Sequence, residues 1–413
     1  MTTSTNNGLH TPDSLQTYYG LPPTVRFCRR CVISNQRPSS VVEFRSKPED
    51  PKPTIEFDAE GVCSACRFAE KKEKEIDWTV RERELIALCD RYRSRNGAHD
   101  CIVPGSGGKD SIYVSHVLKH KYGMNPLTVT WAPHKYTDTG WRNFQAWIRS
   151  GFDNILFSPN GDVHAKLTRL AFLNLCHPFQ PFIVGQRITG PRASALFGIP
   201  LVFYGENQAE YGNNIVENDR PIMAPEFFSH EPSLEKLHLA GTSAAQLVSE
   251  HGFSPRDLNF YLPPAPEHLR AAGTVVHYLS YYLKWDPQQN FYYAVENTKF
   301  ETFPERIEGS YSKYSSFDDV IDWLHWYTTF VKFGIGRTTY DAAQEIRTGK
   351  ITREEGVALV RRYDGEPPRR YLREILDYLE LDEKVFWEVI DKARSPHLWC
   401  KVGDDWVLRH QVS

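Results

Sequence analysis

The chain has 413 residues, room for two or three domains with their own cores, and a composition (40 % hydrophobic, 24 % charged) ordinary for a globular protein in water. Its formal net charge of −3 supplies no general attraction to nucleic acid, so a large tRNA-type footprint is not expected. No apolar run approaches membrane-span length, and the opening Met1–Gly8 has neither a basic start nor an apolar stretch; the protein is therefore read as cytoplasmic.

In chain order, residues 1–25 are polar and punctuated by Gly and Pro, a loosely draped tail. Residues 26–70 carry two C-x-x-C pairs, Cys28/Cys31 and Cys63/Cys66, among short extended stretches. Each pair puts two sulfurs on one tight turn, and two such turns close a tetrahedral four-thiolate site for structural Zn²⁺. The other cysteines (Cys89, Cys101, Cys176, Cys400) are scattered, which argues against a disulfide scaffold. The rival readings are an iron–sulfur cluster or redox-active pairs; neither pair opens a helix after a strand, as a thioredoxin-like motif would. Residues 71–99 read as a connecting helix, with Ile76, Val80, Leu85 and Leu88 as its apolar side.

Over residues 100–215 short apolar strands (Cys101–Val103, Leu127–Trp131, Asn154–Phe157, Leu201–Tyr204) alternate with amphipathic stretches (Ser111–Tyr122, Thr139–Ser150, Val163–Asn174, and one near Arg192). That rhythm predicts an α/β fold, a doubly wound parallel sheet with helices on both faces. Beyond it, residues 216–270 are Pro-rich and irregular, and the remainder of the C-terminal region, to residue 413, reads as mostly helical. Phe317, Val320, Ile321 and Leu324 share one helical face, and Thr352-x-x-Glu355 is a capping box.

The segment Asp100–Val114 is a strand, a glycine-rich turn and a helix start. Gly105, Gly107 and Gly108 let the backbone approach a phosphate, and successive N–H groups form an anion nest at the positive end of the following helix. Ser106 and Ser111 add hydroxyls, Lys109 can neutralise charge on leaving pyrophosphate, and Asp110 makes sense beside phosphate as a Mg²⁺ ligand. The Walker A spacing is absent. Ser106-Gly-Gly-Lys-Asp-Ser111 resembles the signature of PP-loop ATP pyrophosphatases, which cleave ATP between the α- and β-phosphates and pass AMP to an oxygen.

Other candidates are weaker. Glu206 follows the strand Leu201–Tyr204, at the edge where doubly wound folds bind ligands, and could hold Mg²⁺ or orient a nucleophile; Glu210 and Tyr211 are companions. Thr130 and Trp131 end the second strand, where an adenine could lie, although Trp131 reads equally as core. Lys313, Lys332 and Arg337 are possible phosphate or sugar-nucleotide partners, yet each could be a solvated charge. His134, His164, His177 and His325 show no metal-ligand spacing.

From Arg26 to Trp399 the sequence resembles the N-acetyl sugar amidotransferase family. The features that carry the likeness are both cysteine pairs and the loop; Tyr204-Gly-Glu-Asn with Glu210-Tyr-Gly; Glu308-Gly-Ser-Tyr-Ser-Lys-Tyr-Ser-Ser; Lys332-Phe-Gly-Ile-Gly-Arg; and the run from Asp341. The resemblance implies a bacterial surface-polysaccharide or nonulosonic-acid enzyme that turns an acetamido group into an acetamidino group with ATP, Mg²⁺ and ammonia. Residue 2 is Thr2, and no cysteine lies in G-x-C-x-G, so no glutaminase is evident here. The resemblance implies a separate ammonia source, a glutaminase and a cyclase-like subunit similar to imidazole glycerol phosphate synthase. Ser39–Pro53 is longer than the family pattern and leaves the sugar open. Two other readings are a PP-loop tRNA thiolation enzyme and a zinc-ribbon adaptor with a degenerate nucleotide site.

Overall fold

The computed structural model describes residues 15–213, 219–231 and 233–413. Five parallel strands form the central sheet: β1 (Cys101–Pro104), β2 (Pro126–Trp131), β3 (Asp153–Phe157), β4 (Leu201–Tyr204) and β5 (Val275–Tyr278), in the order β3-β2-β1-β4-β5. The first four are the expected strands; the fifth comes from the region expected to be irregular or helical. A four-residue V-V-H-Y run after a proline-rich stretch is too short to show period two.

Alternation along β1 and β4 feeds two cores. Cys101, Val103, Leu201 and Phe203 face Leu85, Val114 and Leu118, whereas Ile102 and Val202 face Ala193, Val129 and Val276. Helices α2 (Trp78–Tyr92) and α3 (Lys109–His120) therefore cover one face, and α6 (Gln180–Phe197) the other. The single connecting helix expected over 71–99 is two, α1 (Ser64–Lys74) and α2, broken where Asp77 accepts from the amides of Thr79 and Val80 and caps the second. Between β2 and α6 run α4 (Asp138–Arg149) and α5 (Gly161–Leu175).

The C-terminal region packs α7 (Pro287–Asn297), α8 (Val320–Phe333), α9 (Arg337–Arg347), α10 (Arg353–Tyr363), α11 (Leu372–Leu379) and α12 (Glu383–Lys392) around the sheet's carboxyl edge. It ends in the hairpin β6 (Trp399–Val402) and β7 (Asp405–Leu408). The capping box at Thr352 is formed. Of the tail expected over 1–25, residues 1–14 lie outside the described residues. The rest is pinned rather than loose: the Tyr18 amide donates to Ser395 Oγ at 2.9 Å, the Tyr19 hydroxyl to the Ala393 carbonyl at 2.9 Å, and Leu21 is buried. No helix among the described residues is long and apolar enough to cross a membrane.

Candidate active site

Strand order reverses between β1 and β4, so the loops leaving those two strands diverge and open a crevice at the carboxyl edge. Both loops singled out in the sequence stand there. After β1, Gly107 takes φ +85°, and a Cβ on it would lie 2.6 Å from Phe144 Cα; a Cβ on Gly105 would collide with Ser111. Gly108 caps α3 without a side-chain acceptor, which leaves the first-turn amides facing the crevice. Lys109 is buried and pairs with Asp110 at 2.6 Å, while Asp110 also accepts from Asn290 of α7 at 3.1 Å.

After β4, Glu206 accepts from the Trp285 indole at 2.8 Å and from the Tyr211 hydroxyl. Burial and then the neighbouring Asp110 push its carboxyl up to about 7, against the pull of Lys109. The loop beyond it is held by the cysteine module. Lys72 of α1 reaches both Glu210 oxygens at 2.8 Å and the Trp285 carbonyl at 3.0 Å, and Ser64 donates to the Gly212 carbonyl.

The Ser106–Ser111 loop and Glu206 divide the crevice into two cavities. One, of about 390 Å³, is lined by Gly105, Ser111, Trp131, Arg187, Tyr204 and Gln208. The other, of about 470 Å³, takes Gly107 and Lys109 from the loop, Arg37 from the cysteine module, and Tyr314, Asp318, Asp322, Trp326, Arg337 and Tyr340 from the C-terminal region. Ser106, Gly108, Asp110, Glu206 and Tyr211 border both. In the second cavity Arg337 pairs with Asp341 at 2.9 Å and lies over the Trp326 ring, and Ser106 hydrogen-bonds Asp318. Burial and then Asp318 push Asp322 up to about 8.

The structure thus gathers Gly105, Ser106, Gly107, Gly108, Lys109, Asp110, Ser111, Trp131, Glu206 and Arg337. Three candidates stand elsewhere. Thr130 is fully buried on the opposite face of β2 from Trp131 and is held by Asn154 at 3.1 Å. Lys332 donates to the Leu175 carbonyl at 2.7 Å in a separate cavity, because Gly334, at φ +67°, turns the chain between it and Arg337. Lys313 donates to the Pro304 carbonyl on the surface. The histidines pair through their rings, His134 with His164 at 4.5 Å and His177 with His325 at 5.3 Å. Sequence reasoning missed Arg37, Asp318, Asp322, Trp326 and Tyr340. The one available signal was polarity inside apolar surroundings, as for Asp322 within V-I-D-W-L.

The four cysteines also meet. Cys28 Sγ is 3.9 Å from Cys66 Sγ, Cys31 Sγ is 3.7 Å from Cys63 Sγ, and all four lie within 4.8 Å of one another. Sulfurs at Zn–S bond length around a tetrahedral ion sit about 3.8 Å apart, so the set fits zinc with no open position. The Cys63 amide donates to Cys28 Sγ at 3.3 Å. Cys63 caps the helix α1, and what precedes it is an isolated bridge and not a strand, so neither pair opens a helix after a strand. Among the described residues this is the one cluster of three or more metal-ligating side chains. Asp110 and Glu206 are the two carboxylates that border both cavities.

Residues 308–412 match the family model described as "LPS biosynthesis protein WbpG-like, C-terminal domain". This supports a polysaccharide-biosynthesis family, and the matched segment supplies Tyr314, Asp318, Asp322, Trp326, Arg337 and Tyr340 to the second cavity. The chain is also 31 % identical over 78 residues to the uncharacterized protein MJ1599 of Methanocaldococcus jannaschii, a stretch covering 19 % of this chain and 27 % of that protein.

Proposed function

We propose that this protein is an ATP-dependent amidotransferase, which adenylates the acetamido oxygen of an N-acetylated sugar and replaces it with ammonia to give an acetamidino group. One observation carries the reading: a glycine-rich anion nest and a buried carboxylate stand at the switch point of a parallel sheet, between two cavities. The cavity beside Trp131 takes the nucleotide, and the cavity under the 308–412 segment takes the sugar.

The acetamido oxygen attacks the α-phosphorus, the α–β bridging bond breaks, and pyrophosphate leaves with its electron pair into the α3 amides and Lys109. Asp110 and Glu206 are the residues that would hold Mg²⁺, whose contribution would be to neutralise phosphate charge. Tyr211 and Trp285 fix the Glu206 carboxylate, and Arg337, oriented by Asp341 and Trp326, offers a planar cation to the acceptor's polar groups. Ammonia then adds to the imidate carbon and AMP departs. Neither cavity is lined by a cysteine among the described residues, and the Cys101 thiol is buried and pushed well up, which disfavours the thiolation reading.

The test is AMP and pyrophosphate release by the purified chain with Mg·ATP and ammonium, across N-acetylated nucleotide sugars and nonulosonic acids, with unmodified tRNA as a parallel acceptor. Sugar-dependent release of both products, with the sugar lighter by about one mass unit, supports the reading. Release with tRNA and a sulfur donor alone would refute it.

A further inference from the structure

A third cavity, of about 220 Å³, lies behind the sugar cavity and shares Arg37, Trp326 and Tyr340 with it. Those three side chains form a thin partition. The Arg37 guanidinium lies over the Tyr340 ring at 5.6 Å, and Tyr340 meets Trp326 edge-on at 5.1 Å. The outer wall is built by Ser39, Ser40, Val41, Glu43 and Lys52, all within or beside the lengthened Ser39–Pro53 segment, and Ser40 is exposed at its rim. The inner wall holds His177, His325, Cys176 and Lys332. Among the side chains there, the buried Trp326 Nε1 and His325 Nδ1 have no hydrogen-bond partner.

We infer that this chamber is the passage by which ammonia reaches the acetamido carbon, with Arg37, Trp326 and Tyr340 as the shutter between it and the adenylated sugar. The inference rests on the amidotransferase reading. ATP and the sugar fill the two front cavities, so a second nucleophile has its separate approach from behind the partition. A water-sized molecule needs about 10–15 Å³ by the same measure, so the chamber has room for several ammonia molecules. Its walls set three basic side chains, Arg37, Lys52 and Lys332, against one acidic one, Glu43, and so disfavour ammonium relative to ammonia, while burial holds His325 down to about 3 and raises the Cys176 thiol to about 12. At the sugar the ammonia lone pair forms the new C–N bond, the C–O bond to AMP breaks, AMP leaves with that electron pair, and one proton is released.

The experiment separates the two half-reactions. Sugar-dependent exchange of labelled pyrophosphate into ATP, without ammonia, reads adenylation; AMP release against ammonium concentration reads the second step. Val41→Trp, on the outer wall, is expected to leave exchange intact and raise the KM for ammonia about tenfold or more, with kcat at saturation within about twofold. Thr329 also lines the chamber, and Thr329→Ala, which widens it, is expected to improve use of methylamine relative to ammonia. Unchanged KM in Val41→Trp together with unchanged methylamine preference in Thr329→Ala would overturn the passage. So would loss of exchange in Val41→Trp, since the chamber would then belong to the adenylation site. Failure of the amidotransferase reading looks different: the unmodified protein shows no sugar-dependent exchange, and the passage falls with it.

Discussion

The contact most exposed to a decisive test is Lys72 with Glu210, because it ties the cysteine module to the loop that carries Glu206. Lys72 and Glu210 are 6 % and 12 % exposed at their side chains, and the ammonium sits 2.8 Å from a carboxylate oxygen. At that distance and an effective dielectric of about 20 the gross attraction is about 6 kcal/mol, most of it offset by desolvation of the two ions. Lys72→Met leaves the carboxylate buried without its cation and the Trp285 carbonyl without its donor, and is expected to cost about 3–5 kcal/mol. Trp285, which holds Glu206 in place, is freed at the same time, so nucleotide affinity should fall too. In the double variant Lys72→Met/Glu210→Leu no charge is left stranded, and stability should return to within about 1–2 kcal/mol of the parent. Urea unfolding of the four proteins in the cycle, with nucleotide titration of each, measures both. A single-variant cost below about 1 kcal/mol, or a double variant as unstable as the two singles added, would refute the buried-pair account.

Treatment with a chelator should release one equivalent of zinc, lower the melting temperature and weaken nucleotide binding together, because Lys72 and Ser64 reach the Glu206 loop from the helix that Cys63 caps; metal analysis beside thermal unfolding checks it. Gly107→Ala should destabilise the chain by more than about 1 kcal/mol and abolish nucleotide binding, since a Cβ at positive φ would meet the Phe144 backbone; calorimetric titration with ATP reads the loss. Asp322 carries a raised carboxyl, about 8 against the usual 3.8, so the folded state binds its proton more tightly. That contribution to stability is present below about pH 4 and is lost as pH rises toward 8, at up to about 1.4 kcal/mol per unit. Asp322→Asn should flatten the slope, visible as a smaller difference in unfolding free energy between pH 5 and pH 8 than in the parent.

Contiguous chemistry was legible in the sequence. The loop Ser106–Ser111, both cysteine pairs and the first four strands each depend on neighbours in the chain: a turn needs its own glycines, a knuckle its own two sulfurs, and a strand its own alternating face. The place of Glu206 in the crevice was legible because a doubly wound sheet puts the residue after a strand at the sheet's carboxyl edge. What the sequence left open depends on how distant elements cross. Arg37 lies about 70 residues before the loop and Tyr340 about 230 after it, yet both line one cavity with Lys109. Lys332 and Arg337 looked alike in one glycine-rich run, and the turn at Gly334 sent one to the Leu175 carbonyl and the other into the cavity lined by Lys109 and Trp326. β5 emerged only when Val275–Tyr278 paired with β4. The sequence thus determined the anion nest and the thiolate set, while the acidic and aromatic wall facing them was decided by tertiary packing, because no local pattern encodes which buried faces will meet.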